Sequence, residues 1–148
     1  MRRDAGFSLI EMLAALAIMA LAAGLVVMSL PNASGRLADE TDELIRSLVA
    51  ARDLALIENR TVTFEVGETG YEMRIARRLG PPETRAKVSW RADTSVAVGD
   101  GRLPAAILFD SVGLTEPAEI ILFRNGLKDG VVIDASGRIG RLADDQQG

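Results

Sequence analysis

The chain has 148 residues and a formal net charge of −4, with no histidine and no cysteine. Those two absences exclude imidazole general bases, thiol nucleophiles, disulfides and the common zinc ligand sets. The acidic balance disfavours non-specific association with phosphate backbones. Once an apolar N-terminal arm is set aside, little more than about a hundred residues remain, enough for one small domain with its own core.

The arm runs from Phe7 to Leu30, and in it only Ser8, Glu11 and Ser29 are distinctly polar. As a helix it is long enough to cross a hydrocarbon layer of roughly 30 Å while satisfying its own backbone hydrogen bonds. Glu11 is the anomaly. An ionisable group within such a segment costs about 3 kcal/mol on insertion scales, so it needs a partner or a purpose, and the segment contains no basic residue to supply one. A secretory signal would be cut after its apolar run. Ala22-Ala23-Gly24 could imitate a small-residue site for such a cut, but it lies inside the run and leaves Glu11 unexplained.

Charge sets the expected orientation. Arg2 and Arg3 precede the arm, whereas Pro31 to Glu43 carries one basic residue, Arg36, against Asp39, Glu40, Asp42 and Glu43. The basic side is expected to stay cytoplasmic, which places the residues beyond about Leu30 across the membrane, outside the cytoplasm. Absence of cysteine is compatible with that compartment.

Pro31-Asn-Ala-Ser-Gly35 predicts an interruption of the helix. Helical spacing returns with Leu37, Thr41, Leu44, Ile45, Leu48, Ala51, Leu54 and Ala55 on one face, predicting an amphipathic helix over about 37–59. The period then falls to two. Thr61 to Val66 and Tyr71 to Ile75 alternate on either side of Gly67-Glu-Thr-Gly70, a hairpin with Val62, Phe64, Val66, Tyr71, Met73 and Ile75 inward. Further strands are expected at Lys87 to Arg91, Ala106 to Phe109, Glu119 to Arg124 and Gly130 to Asp134, with turns at Gly80-Pro-Pro82 and Asn125-Gly126. The expected fold class is α+β, one long N-terminal helix followed by an antiparallel sheet.

Gly6, Phe7 and Glu11 resemble the class III signal of type IV pilins and type II secretion pseudopilins. The resemblance implies a pilin-like fold, a leader of residues 1–6, a transmembrane and filament-core helix over 7–30, and a periplasmic domain over 31–148. It implies cleavage between Gly6 and Phe7 by a prepilin peptidase, N-methylation of Phe7, and pairing of Glu11 with the amine of a neighbouring subunit on assembly. In the C-terminal half Phe109, Gly113, Ile120, Leu122, Val132, Gly137, Arg138 and Ile139 resemble the pattern of the minor pseudopilin H domain, and Arg52 and Ala55 suit its helix end. The implied function is a structural subunit of a type II secretion pseudopilus. Its implied partners are other major and minor pseudopilins, the prepilin peptidase/methyltransferase and the inner-membrane assembly platform. A minor type IV pilin acting in pilus initiation or DNA uptake and a membrane-tethered enzyme are the alternatives.

No catalytic constellation emerges, and the expectation is a non-enzyme without cofactor. Ser8, Ser111 and Ser136 have no base beside them in sequence. Asp129, Asp134, Asp144 and Asp145 lack the spacing of a calcium loop and read as solvated charges. Arg138 and Arg141, in Gly137-Arg-Ile-Gly-Arg141, loosely resemble a glycine–arginine motif of DNA-uptake pilins and are the nucleic-acid candidates. Asp144 and Asp145 directly after them oppose that role, and the competing reading is a strand-end turn with exposed arginines.

Overall fold

In a computed structural model the backbone is described for residues 9–29 and 33–142, and the side chains for 9–22 and 36–142. The chain divides into two compact units, residues 1–32 and residues 33–148. The first contains α1, Leu9–Ser29. Gly6, Phe7 and the rest of the leader lie outside the described residues, as do Asp144 and Asp145.

The second unit opens with α2, Ala33–Glu58. Of the expected interruption at 31–35, Ala33, Ser34 and Gly35 are helical, and Pro31 and Asn32 lie outside the described residues. Among the described residues eight antiparallel strands follow: β1 Val62–Gly67, β2 Gly70–Ile75, β3 Glu83–Ser89, β4 Ser95–Val98, β5 Ala105–Phe109, β6 Ala118–Arg124, β7 Leu127–Ile133 and β8 Ile139–Arg141. They form two four-stranded sheets rather than one, ordered β3-β2-β1-β5 and β4-β6-β7-β8. Short strands keep both sheets small, and α2 bridges them, touching β1 and β5 of the first and β6, β7 and β8 of the second.

The first hairpin has the expected register, with Val62 opposite Ile75, Phe64 opposite Met73 and Val66 opposite Tyr71. The second, β6 to β7, turns at Asn125-Gly126, both at positive φ (51° and 77°). That is the backbone of a two-residue turn whose twist matches the strands it joins, and asparagine and glycine are the residues that tolerate it.

The core lies between α2 and the inner faces of the sheets. Leu37, Leu44, Leu48, Ala51 and Ala55 meet Val62, Phe64, Val66, Ile75, Ile107, Phe109, Ile120, Leu122, Val131 and Ile133. Ile45, Leu54 and Met73 are only half-buried at its margin. Phe64 stacks on Tyr71 with ring centroids 4.9 Å apart, and Tyr71 meets Trp90 at 5.2 Å. The polar ends of these rings are satisfied: the Tyr71 hydroxyl bonds Ser47 Oγ at 2.8 Å, and Trp90 Nε1 donates to Gly67 O at 2.9 Å. Burial raises the Tyr71 pKa above its ordinary value despite the Ser47 bond.

Candidate assembly site

Over the described side chains, 9–22, the arm presents apolar surface on every side. Leu9, Ile10, Met12, Leu13, Leu16, Ile18, Met19 and Leu21 are all exposed, from 58 to 83 % of their surface. A helix apolar all round has no face suited to water, so this one requires lipid or other protein around it. Glu11 is exposed in its first turns, and no Lys or Arg occurs between Leu9 and Ser29. Among the described residues no helix is long and apolar enough to cross a membrane. The expected span, 7–30, extends beyond the described side chains at both ends.

Within the second unit β6 is fixed to α2 by a buried ion pair that the sequence reading passed over. Arg124 Nη2 donates to Glu40 Oε2 at 2.5 Å, with the two side chains 6 % and 5 % exposed. Glu40 also accepts from Arg91 N and Thr94 Oγ1, each at 2.8 Å, and Arg124 bonds Thr94 Oγ1. Arg124 Nε is buried without a partner among the described residues. A signal was present. Arg124 follows Ile120 and Leu122 at strand spacing on the inward side of β6, and Glu40 falls on the core face of α2 between Leu37 and Leu44. Opposite charges on two inward faces predict each other.

At the C-terminal end of α2 the same turn occurs twice, after β5 and after β7, and its two copies touch. After β5, Asp110 Oδ1 accepts from Val112 N and Leu114 N, while Asp110 N donates to Leu114 O and Gly113 N to Asp110 O. After β7, Asp134 Oδ1 accepts from Ser136 N and Arg138 N, while Asp134 N donates to Arg138 O and Gly137 N to Asp134 O. The bond from Ser136 Oγ, followed by those from the backbone, holds the Asp134 carboxyl below its ordinary pKa. Gly113 and Gly137 sit at φ +80° and +73°, with Gly113 O directly against Gly137. Arg52 Nε lies over both glycines, 3.3 Å from the position of either missing Cβ, and is buried without a partner among the described residues. Residues singled out one by one in the sequence, Arg52, Gly113 and Gly137, are therefore one packing unit.

Arg138 and Arg141 are placed differently from each other. Arg138 has an exposed side chain and contributes its backbone N–H to the second turn. Arg141 is bound on three sides, to Asp129 Oδ2 at 2.8 Å, Ala38 O at 3.0 Å and Asp42 Oδ1 at 3.4 Å, tying β8 to α2. Asp129 is thus an ion-pair partner and Asp134 a turn former. Ser136 bonds that carboxylate, and Ser111 lines a cleft with Asn59, Arg60, Thr61, Ala76, Arg77 and Arg78. Among the described residues no three His, Cys, Asp or Glu side chains gather as metal ligands.

Comparison with known proteins agrees with this geometry. The prokaryotic N-terminal methylation motif matches residues 1–27, and the family model described as type II transport protein GspH matches residues 40–137. No curated protein matches. Among solved structures, the minor pseudopilin EpsH from the type 2 secretion system of Vibrio cholerae superposes with a TM-score of 0.64 at 10 % identity, covering 74 % of this chain and 98 % of that one. The type IV minor pilin FimU of Pseudomonas aeruginosa gives 0.62 at 16 % identity, covering 74 % and 90 %. At such identities these likenesses establish the fold, α+β and pilin-like, and do not separate the two functions. The GspH match begins at the buried Glu40 and ends at Gly137 of the second turn, and by it the chain belongs to the type II transport protein GspH family.

Proposed function

We propose that the protein is a minor pseudopilin, a structural subunit of the periplasmic pseudopilus of a type II secretion system. The observation that carries this reading is the pairing of an N-terminal methylation motif over residues 1–27 with a GspH domain over 40–137. In it the chain catalyses no reaction. The peptidase/methyltransferase removes residues 1–6 and methylates Phe7. The arm lies in the inner membrane with its N-terminus cytoplasmic and the domain periplasmic, and then transfers into a filament core through the assembly platform. Both environments suit a helix that is apolar all round. Glu11 gains its counter-charge, the Phe7 amine of an adjacent subunit, only on assembly, since α1 holds no cation of its own.

The family match favours the secretion reading over that of a type IV pilin. Phosphate binding through Arg138 and Arg141 finds less support, because Arg141 would have to leave Asp129 and Asp42. Processing is the experiment that tests the arm. Intact mass and N-terminal sequencing of chain extracted from membranes should show a start at N-methylated Phe7, and Gly6→Leu should leave an inserted, uncut precursor. A mature chain that starts at Met1 or after Ala22-Ala23-Gly24 would contradict the assignment.

A further inference from the structure

The cleft at the C-terminal end of α2 has a composition that the filament arm does not account for. It holds about 300 Å³ and is lined by Asn59, Arg60, Thr61, Ala76, Arg77, Arg78 and Ser111, with no carboxylate among them. Arg77 is committed, donating through Nη2 and Nε to Glu83 Oε2 at 2.6 and 3.1 Å. Arg60 reaches Glu58 only at 4.0 Å, beyond hydrogen-bond range. Arg78 is exposed. Besides the ion-paired Arg77, two arginines, two residues with hydroxyls and one with an amide thus line one opening, in a chain whose net charge is −4. Arginine's planar fork suits a carboxylate, which it can bind through two parallel hydrogen bonds.

Close to these residues in the chain stand three exposed apolar side chains, Ile57 at 81 %, Leu79 at 91 % and Val112 at 65 %, together with Glu58 and Asp110. Positive charge beside apolar surface fits an acidic peptide segment or an anionic membrane. Position favours the peptide. The cleft lies at the opposite end of α2 from Ala33, and the helix's 26 residues rise about 39 Å. An arm anchored in lipid joins α2 at the Ala33 end, so the cleft is remote from that attachment.

We propose that this cleft docks an acidic, apolar segment of a neighbouring pilin-like subunit, a carboxylate entering between Arg60 and Arg78 and apolar side chains resting on Ile57, Leu79 and Val112. The inference rests on the filament reading above. The test uses the full chain in cells, with a photo-crosslinking amino acid at Leu79 and, separately, at Met19 of the arm. The expected result is a Leu79 adduct to another pilin-like subunit at a peptide containing Asp or Glu. Arg60→Glu/Arg78→Glu should reduce that adduct at least tenfold, leave the Met19 adducts unchanged, and regain the Leu79 adduct when the captured acidic residue is changed to Lys. If the double reversal lowers the melting temperature, Arg78→Glu alone, at an exposed position, decides. A Leu79 adduct indifferent to charge reversal, a phospholipid adduct, or no Leu79 adduct beside intact Met19 adducts overturns the proposal. Absence of pilin-like subunits from the Met19 adducts as well overturns the filament reading, and the docking site with it.

Discussion

Gly137→Ala perturbs the contact between the turn after β5 and the turn after β7. A Cβ at this position would fall inside the van der Waals envelope of Gly113 O, a backbone atom that cannot turn away, and would also press on Arg52 Nε at 3.3 Å. The backbone itself, at φ +73°, disfavours any L side chain by about 1–2 kcal/mol. Overpacking adds about 1–3 kcal/mol. A loss near 3 kcal/mol is a large part of the roughly 5–15 kcal/mol available to a domain. At about 4 °C per kcal/mol for this size it lowers the melting temperature by about 12 °C. Thermal unfolding followed by circular dichroism, on a chain beginning at Arg36, measures it. Gly140→Ala is the control, because a Cβ there meets nothing within 4 Å. A Gly137→Ala melting temperature within about 2 °C of that control would refute the close-approach argument.

Glu40→Ala should destabilise the same domain by about 3–5 kcal/mol, since it leaves Arg124 buried without its carboxylate, and Glu40→Leu/Arg124→Met should recover much of the loss. Urea titrations of the three variants check this, and a single-mutant loss below about 1 kcal/mol would show that the pair is not buried in solution. Domain stability should also fall in acid. Bonds from Arg74 and Thr84 hold Glu72 at a pKa of about 2 against an ordinary 4.5. The unfolded chain therefore takes up the proton first as pH drops, and the Glu72 contribution, complete above about 4.5, is lost by about 2. Urea midpoints between pH 6 and 2 should fall less steeply in Glu72→Gln; parallel curves for the two proteins would contradict the assignment.

The elements most legible in the sequence were those with uninterrupted periodicity. Leu37, Leu44, Leu48, Ala51 and Ala55 marked the buried face of α2, and the alternation from Val62 to Ile75 gave the first hairpin with its register. β4 and β8 were missed because Ser95–Val98 and Ile139–Arg141 are too short to display a period. β3 was placed late, over 87–91 instead of 83–89. Its exposed edge alternates weakly, and a register shift between Met73 and Arg74 offsets its pairing with β2. The division into two sheets is a non-local property carried by pairings such as Phe64 with Ile107, which no local pattern announces. In the candidate site, Glu11 stood out because one charge in an apolar run has no local explanation. Glu40 and Arg124 escaped because each looks ordinary until the other, 84 residues away, is set beside it. Arg78, with Arg77 and Arg85, reads in the sequence as part of a solvated loop around Gly80-Pro-Pro82, and Arg60 carries no signal of its own until the pairing of β1 with β2 brings the two to one cleft.

Glu11 gives the most direct test of the central claim, that the arm makes this chain a filament subunit. In a strain lacking the native copy, Glu11→Ala and wild type are compared for processing, for crosslinks from the arm to other pseudopilins, and for secretion of the system's substrates. Without the carboxylate a neighbouring amine enters an apolar core unpaired, and loss of one partner of a buried pair costs about 3–5 kcal/mol, about a hundredfold or more in an assembly equilibrium. The account predicts that Glu11→Ala is cut and inserted normally but forms few crosslinks and supports little secretion. Normal crosslinks together with normal secretion would contradict it.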